Sequence, residues 1–454
     1  MNKHRMNKEL SSFAARLRGR ISSSVAAEAT SLISIPNSEL RIPGILEPPH
    51  VGCHEDFDAL ALELFTLQFA NNAAYRKICE ARGLTPKEVR HWTQIPAVPT
   101  GAFKELELAC IPPDKRTAVF HSSGTTEQKP SRHFHNAESL AVYEASLWIW
   151  FAENIFRSAD GSSASHEEEI RGQAVRAPLL ILTPPPEFAP HSSLVHMFET
   201  VRQKLGGTSV PASHGEFFGT LAADGTWTLD FDAALTVIQR SGDSGERRNV
   251  PNARGAALCR DAATPQILLG TAFSFVHLLD YLVERDLRVE LPAGSRVMET
   301  GGYKNRSRSM PKAELHALIT ERLGVPAENI ICEYGMSELS SQAYAVTGDK
   351  CQVTRNATAS CHPSPVTCHF HFPPWARVQI ISPETGCEVA DGETGLVRVL
   401  DLANVFSVAA IQTEDLGIRR GDGFEFIDRA HLAEPRGCSL MSYSALRNPH
   451  SAFK

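Results

Sequence analysis

Two short apolar runs constrain the fold of this chain more than anything else in it. APLLILTP, residues 177–184, and QILLGTAF, residues 266–273, are each bounded, and each is followed by apolar residues at helical spacing. A buried strand leading into a helix, repeated along a chain, is the unit of a parallel sheet, so these runs predict βαβ units and an α/β fold. From Trp375 the pattern changes to short alternating runs, ARVQIIS and GLVRVLD, with turn residues between them, which predicts a small antiparallel β unit. Upstream, Phe57, Leu60, Leu62 and Phe65 recur at helical spacing, and a second helix is predicted over Ala73 to Arg82. TAVFH (117–121) is a short β-like run that leads into a small-residue loop, after which ESLAVYEASLWIWF (138–151) reads as a long buried helix. RSADGSSASHEEE (157–169) and SGDSGERRNVPNARGAA (241–257) lack periodicity and read as surface insertions.

With 454 residues the chain has room for two or three packed units. The expected division is an N-terminal extension over 1–50, an α/β region over 51–374, a small β unit over 375–431 and a tail over 432–454. A net charge of -7 without a long Lys/Arg run gives a nucleic-acid partner no electrostatic support. No window reaches the ~18–20 apolar residues of a membrane span. The N-terminus lacks the apolar stretch of a secretory signal. It reads as an amphipathic helix with Leu10, Phe13, Ala14 and Leu17 on one face, although its Arg/Ser/Ala bias also resembles an organellar transit peptide. Ten cysteines without a signal peptide point to reduced thiols and a cytoplasmic location.

Three segments carry residue types suited to a nucleotide. HSSGTTEQKPSRH (121–133) offers the hydroxyls of Ser122, Ser123, Thr125 and Thr126, and Gly124 permits close approach of backbone N–H groups to phosphate oxygens. Ser/Gly/Thr clusters are also common in ordinary loops, and the Walker A spacing is absent. ICEYGMSELSSQ (331–342) combines an aromatic, a Gly-Met turn, a hydroxyl and a carboxylate, a set able to stack a base, touch a phosphate and hold a hard cation. The same residues equally describe a strand-to-helix turn with Ser337 as N-cap and Glu338 in the first turn. In QTEDLGIRRGDGFEFIDRAH (412–431), Asp415 lies between a strand and a turn, where its carboxylate can accept from two ribose hydroxyls or simply face solvent.

In this order and at these separations, the segments resemble the signatures of the adenylate-forming superfamily of acyl-CoA synthetases, peptide-synthetase adenylation domains and luciferases. The resemblance implies that superfamily's large-domain fold, with ATP and Mg2+ as cofactors. It implies phosphate contacts from Ser122 to Thr126, adenine stacking on Tyr334 beside Gly335 and Met336, and a phosphate contact from Ser337. Glu338 would ligate Mg2+, Asp415 would bind ribose, and Arg429 would lie near a hinge. ETGGYKNRSR adds Thr300, Gly301 and Gly302, which would pack against the adenine plane. The finer resemblance is to the LuxE-type acyl-protein synthetases, through IPAVPTGAFK, SSGTT…PSRH, TGGYKNRSR, EYGMSELSSQ, FPPWARVQI, DLANVFSVAAIQTEDLG and AEPRGCSL. It implies ATP-dependent conversion of a carboxylic acid, long-chain by the subfamily's name, to an acyl-AMP. Transfer to a thiol would follow, with delivery to an acyl reductase as partner. A coenzyme A ligase is the rival within the class, and a silent scaffold of a reductase complex is the rival outside it.

Two departures from the superfamily pattern stand out. Glu127 occupies a glycine position of the usual phosphate loop, and Lys129–Pro130 inverts the usual Pro-Lys order, so the assignment of Lys129 as the phosphate-loop lysine stays open. The sequence also stops soon after Arg429, so we expect no lid domain with its catalytic lysine, as in the similarly short LuxE-type chains. Lys304, directly after the Thr-Gly-Gly turn, is the candidate replacement cation, with a solvated lysine as the equal alternative. Cys438 in AEPRGCSL is the candidate acyl acceptor, its thiolate favoured by Arg436; a buried structural cysteine is the other description of it. Residues 351–371 hold Cys351, Cys361, His362, Cys368, His369 and His371, but no C-x2-C pair, and read as a reduced surface insertion rather than a zinc site.

Overall fold

The computed structural model of the chain describes residues 3–31, 54–122, 129–156, 178–206, 215–222, 227–242, 264–301, 310–346 and 368–429. The N-terminal part is helical: α1 (Lys3–Ser31), α2 (His54–Asn71) and α3 (Ala73–Ala81) precede β1 (Val98–Pro99) and the one-turn α4 (Ala102–Glu105). Leu10, Phe13, Ala14 and Leu17 are buried along one face of α1, and Ile21 extends the stripe by a turn.

A hairpin of β2 (Ala118–His121) and β3 (Arg132–His135) follows, and then α5 (Ala137–Ile155). The sequence pattern led us to expect a loop running straight from strand to helix. The chain instead returns as β3, because RHFH alternates: His133 and His135 point inward while Arg132 and Phe134 are only half-buried. Asn136 then starts α5 with a reciprocal cap to Ser139. Helix α1 packs against α5 and α2.

The predicted βαβ units are present. In chain order they comprise β4 (Leu179–Ile181), α6 (Ser193–Gly206), β5 (Gly215–Phe217), the small hairpin β6 (Gly219–Leu221) and β7 (Trp227–Leu229), and α7 (Phe231–Gly242). They continue with β8 (Ile267–Thr271), α8 (Ala272–Glu284), β9 (Arg296–Thr300), α9 (Lys312–Leu323), β10 (Ile330–Tyr334) and β11 (Ala343–Val346). Their sheet has the order β11-β10-β9-β8-β4-β5, parallel except for the β10–β11 pair. The two apolar runs are its adjacent strands β4 and β8. They are apolar throughout because both faces are covered: Leu180 and Leu268 join the core under α7, α8 and α9, whereas Leu179, Ile181, Ile267 and Leu269 join the core under α5 and α6.

The small β unit comprises β12 (His369–Phe370), β13 (Ala376–Ile381), β14 (Thr394–Asp401), β15 (Ala410–Arg420) and β16 (Gly423–Arg429), in the antiparallel order β12-β16-β15-β14-β13. Its hydrophobic face shares one core with α1, α2 and α3. The IPAVPTGAFK segment joins it directly, since β1 pairs in parallel with β15 through Val98↔Ile411 and Pro99↔Gln412. Among the described residues no helix is long and apolar enough to cross a membrane.

Candidate active site

Parallel strands all deliver their carboxyl ends to one edge, where side chains and turns converge on a crevice. In this sheet, Thr271 of β8, Thr300 of β9 and Glu333 of β10 lie in one row across that edge. Thr271 caps α8, accepting from Ser274 N–H, so the helix starts directly from the strand. Thr300 donates its hydroxyl to Glu333. Burial drives the Glu333 carboxyl up to about 7 against that hydrogen bond, which lowers it. A Cβ on Gly335 would meet Glu333 Oε1 at 2.3 Å, so a side chain there would displace the Glu333 carboxyl from its place beside Thr300. Gly301, which ends β9, has φ 77, the left-handed conformation that glycine adopts without strain.

Tyr334 closes β10. Its phenol donates to Asp415 Oδ2 at 2.8 Å, and Arg429 Nε lies 3.5 Å from Asp415 Oδ1. Asp415 and Arg429 face one another across the β15–β16 ladder, so the register of the small β unit sets their meeting with Tyr334. The two contacts reach separate oxygens of the Asp415 carboxylate, so Tyr334 and Arg429 fix its plane from two sides. The ring of Tyr334 stands among Phe370, Phe372, Phe424 and Phe426, with centroids 5.1–6.3 Å away.

Beyond Tyr334 no helix forms, which removes the N-cap description of Ser337. The chain turns at Ser337–Glu338 and returns as β11, Tyr334 pairing with Ala343. The turn is fixed from three sides. Ser337 Oγ donates to Glu338 Oε2 at 3.0 Å, and the Ser337 carbonyl accepts from His133 Nδ1 at 2.7 Å. A carbonyl only accepts, so this contact assigns the His133 proton to Nδ1. Burial lowers the His133 pKa to about 4, so the ring is neutral at pH 7. From the third side, Asp401 accepts from Ser340 N–H, Ser341 N–H, Ser341 Oγ and Ala403 N–H at 2.7–2.9 Å. Asn404 donates to the Glu338 carbonyl at 2.9 Å and accepts from Ser340 Oγ at 2.6 Å. Asp401 and Asn404 begin the DLANVFSVA stretch, which Gln68 of α2 grips by donating to the Asn404 carbonyl and accepting from Ala409 N–H.

No family model matches the sequence. By fold, the chain is similar to an open form of 2-hydroxyisobutyryl-CoA ligase, with TM-score 0.51 and 13% identity over 85% of this chain and 80% of that one. Against the same ligase in its thioesterification state the TM-score is 0.52, at 12% identity over 86% and 74%. The fold is that of the adenylate-forming ligases. By sequence, the chain is 28% identical over 194 residues to a long-chain-fatty-acid–luciferin-component ligase of Aliivibrio fischeri, covering 38% of this chain and 44% of that protein, less than half its length. It is 21% identical over 385 residues to the protein of the same description from Vibrio harveyi, covering 83% and 84%. The LuxE-type resemblance seen in the motifs is therefore matched by curated proteins.

Within the adenylate-forming fold, Thr300, Gly301, Tyr334, Gly335, Met336, Ser337, Glu338, Asp415 and Arg429 gather at one edge of the parallel sheet. Ser122 closes the base of the first loop, its Oγ accepting from Ser131 N–H at 3.0 Å. Ser123, Gly124, Thr125 and Thr126 lie outside the described residues, as do Gly302, Lys304 and Cys438. Lys129 sits at the surface, 3.2 Å from Glu105. Of the histidines and cysteines in 351–371, Cys368, His369 and His371 are described, and Cys368 is buried rather than on a surface insertion. The donor set suits the groups that the fold implies: Glu338 and Ser337 offer hard oxygens of the kind Mg2+ takes, and Asp415 offers a carboxylate, the group that accepts from vicinal hydroxyls.

Motif inspection passed over His133, Asp401, Asn404 and Gln68. His133 stands in the polar PSRH segment, Asp401 and Asn404 in DLANVFSVA and Gln68 in α2, and no spacing links the three segments, so only their contacts reveal a common role.

Proposed function

We propose that this chain activates a carboxylic acid with ATP as an acyl adenylate and transfers the acyl group to a thiol. One observation carries the reading: Tyr334 of one motif and Asp415 and Arg429 of another meet at 2.8 and 3.5 Å past the end of β10, beside the pinned Ser337–Glu338 turn, in an adenylate-forming fold.

In this reading, Tyr334 with Gly335 and Met336 flanks the adenine, the Thr300–Gly301–Gly302 strand end covers its plane, and Asp415 accepts from the ribose hydroxyls. Ser122, Ser123, Gly124, Thr125, Thr126 and Ser337 donate to phosphate oxygens. Mg2+, when bound through Glu338, neutralises charge on the phosphates. A substrate carboxylate oxygen attacks the α-phosphorus; the bond to the β-phosphate oxygen breaks and pyrophosphate leaves, its charge met by Lys304 or Lys129. A thiolate then attacks the acyl carbonyl and AMP departs. The names of the two curated relatives, long-chain-fatty-acid–luciferin-component ligases, support a long-chain fatty acid as substrate, and the LuxE-type resemblance supports an acyl reductase as recipient. We assign the accepting thiol to Cys438, with coenzyme A as the competitor.

The test is Mg2+-dependent exchange of pyrophosphate into ATP, screened over fatty, aromatic and amino acids. Glu338→Gln should lower exchange by roughly 100-fold or more while thermal unfolding stays unchanged. If no acid in the panel supports exchange, the proposal fails and a scaffold role replaces it. Hydroxylamine-labile labelling of the wild type by active acid, lost in Cys438→Ser, would identify the acceptor, whereas thioester formation only with coenzyme A would reject it.

A further inference from the structure

Four ligand-bearing side chains spread over seventy positions of the sequence converge beside β10, none of them among the groups assigned to the nucleotide. Glu299 of β9 and Cys332 of β10 are ladder partners. His316 comes from α9, one layer off the sheet, and Cys368 stands immediately before β12, in the small β unit. All four are buried, none more than 6% exposed. His316 Nε2 lies 3.5 Å from Glu299 Oε1 and 3.9 Å from Cys332 Sγ, and the two sulfurs are 3.2 Å apart.

We propose that Glu299, His316, Cys332 and Cys368 bind a structural zinc ion. Tetrahedral zinc holds sulfur at about 2.3 Å and nitrogen or oxygen at about 2.0–2.1 Å, so ligand atoms around it stand about 3.3–3.8 Å from one another. The ligand atoms of Glu299, His316 and Cys332 all lie within 4.8 Å of one another, a triangle that small shifts of side chains close around an ion. At 3.2 Å the sulfurs are well beyond the about 2.05 Å of a disulfide, and an ion between them would spread them by about half an ångström.

Charge supports the same assignment. Two thiolates, one carboxylate and a neutral imidazole leave a zinc site with one surplus negative charge, which is unfavourable in a buried place. Lys312 Nζ stands 2.9 Å from Glu299 Oε1 and cancels that surplus as an outer-shell partner of the ligating carboxylate. The four ligands come from β9, α9, β10 and the approach to β12, so the ion would fasten the small β unit to the parallel sheet. Cys332 lies two residues before Tyr334 and Glu299 one before Thr300, so the fastening sits directly under the candidate active site.

The experiment is metal analysis of the full chain purified from zinc-supplemented cells under reducing conditions, with cobalt substitution as a second measurement. About one zinc per chain is expected. After exchange, Co2+ should give the intense visible absorption of a tetrahedral site with thiolate ligands. Cys368→Ser and His316→Ala should weaken retention against a chromogenic chelator by more than the roughly 10–100-fold that loss of an outer-shell partner costs, and Lys312→Met should fall within that range. Cys387→Ser, which alters an exposed cysteine, should change nothing. Should a ligand variant not fold, the cobalt spectrum of the wild type decides alone. Absence of stoichiometric metal with no tetrahedral cobalt spectrum would overturn the proposal, as would a Cys332–Cys368 disulfide in metal-free protein or metal content unchanged in both ligand variants. None of these readouts depends on adenylation, so this proposal and the proposed activity fail separately.

Discussion

Two buried polar clusters adjoin β10, and they are built on opposite principles. Past the strand's end, Asp401 receives four neutral donors, three of them backbone N–H groups. Beside the strand, Glu299 meets Lys312 and His316, and His316 meets the Cys332 sulfur. The first cluster is finished with neutral donors: two N–H groups and a hydroxyl from Ser340 and Ser341, and the N–H of Ala403, converge on one carboxylate, so the chain after the Ser337–Glu338 turn is held without any second ion. The second joins ionisable side chains from separate elements, and its balance depends on charge brought from elsewhere in the fold. A turn that must offer fixed donors to a substrate is better served by the first kind, since neutral donors on one carboxylate add no second charge for salt to screen.

The sharpest way to break this comparison is Asp401→Ala, which strips four donors of their acceptor at once. Unsatisfied buried donors cost about 1–3 kcal/mol each, and partial relaxation brings the expected loss to about 4 kcal/mol in urea unfolding. Asp401→Asn, which keeps one acceptor oxygen, should lose about half as much. A loss under about 1 kcal/mol for the alanine variant would mean that the turn does not depend on this carboxylate.

The next largest effect concerns His133, which holds the same turn from the other side. Its pKa falls from an ordinary 6.5 to about 4 on folding, chiefly through burial. The unfolded chain therefore binds a proton between these values that the native one does not. The stability this contributes is complete above pH 6.5 and is lost as pH falls toward 4, about 3 kcal/mol in all. Burial depresses His135 and His277 as well, so the wild type should lose stability steeply over this range. His133→Asn, which keeps a donor for the Ser337 carbonyl, should flatten the curve by one group's share; an unchanged slope would reject the assignment.

Tyr334→Phe probes the contact between the two sheets. It removes the phenol that donates to Asp415 while Arg429 stays beside the carboxylate, so the expected loss is about 1.5 kcal/mol. Pyrophosphate exchange should keep its maximal rate and need more ATP, because the ring that flanks adenine remains.

The smallest effect belongs to the exposed Lys129–Glu105 pair. Lys129→Ala should change stability by no more than about 0.5 kcal/mol. A loss of exchange in this variant without a loss of stability would make Lys129 a phosphate contact after all.

Much of this was legible before any coordinates. The stripe of Leu10, Phe13, Ala14 and Leu17, the strands β4 and β8, and the antiparallel unit after Trp375 follow from periodicity, because burial on one face or on both leaves a repeating mark in the sequence. The meeting of Tyr334 with Asp415 was legible only as two motifs with one implied purpose. The tether from His133 to Ser337 was not, since 204 positions separate them and a lone histidine in a strand carries no pattern.

The sequence by itself determined the class of fold and the longer helices and strands, and proposed the residues suited to a nucleotide, all of which rest on local spacing and on side-chain type. Tertiary structure alone decided which of those residues meet. The β15–β16 register puts Arg429 opposite Asp415, and the return of the chain at β3 carries His133 to the Ser337 carbonyl. The proximity of Cys368 to Cys332 arises where the small β unit meets the parallel sheet. The physical reason is range. Periodicity records which side of an element is buried, and a contact between distant elements depends on how their surfaces pack.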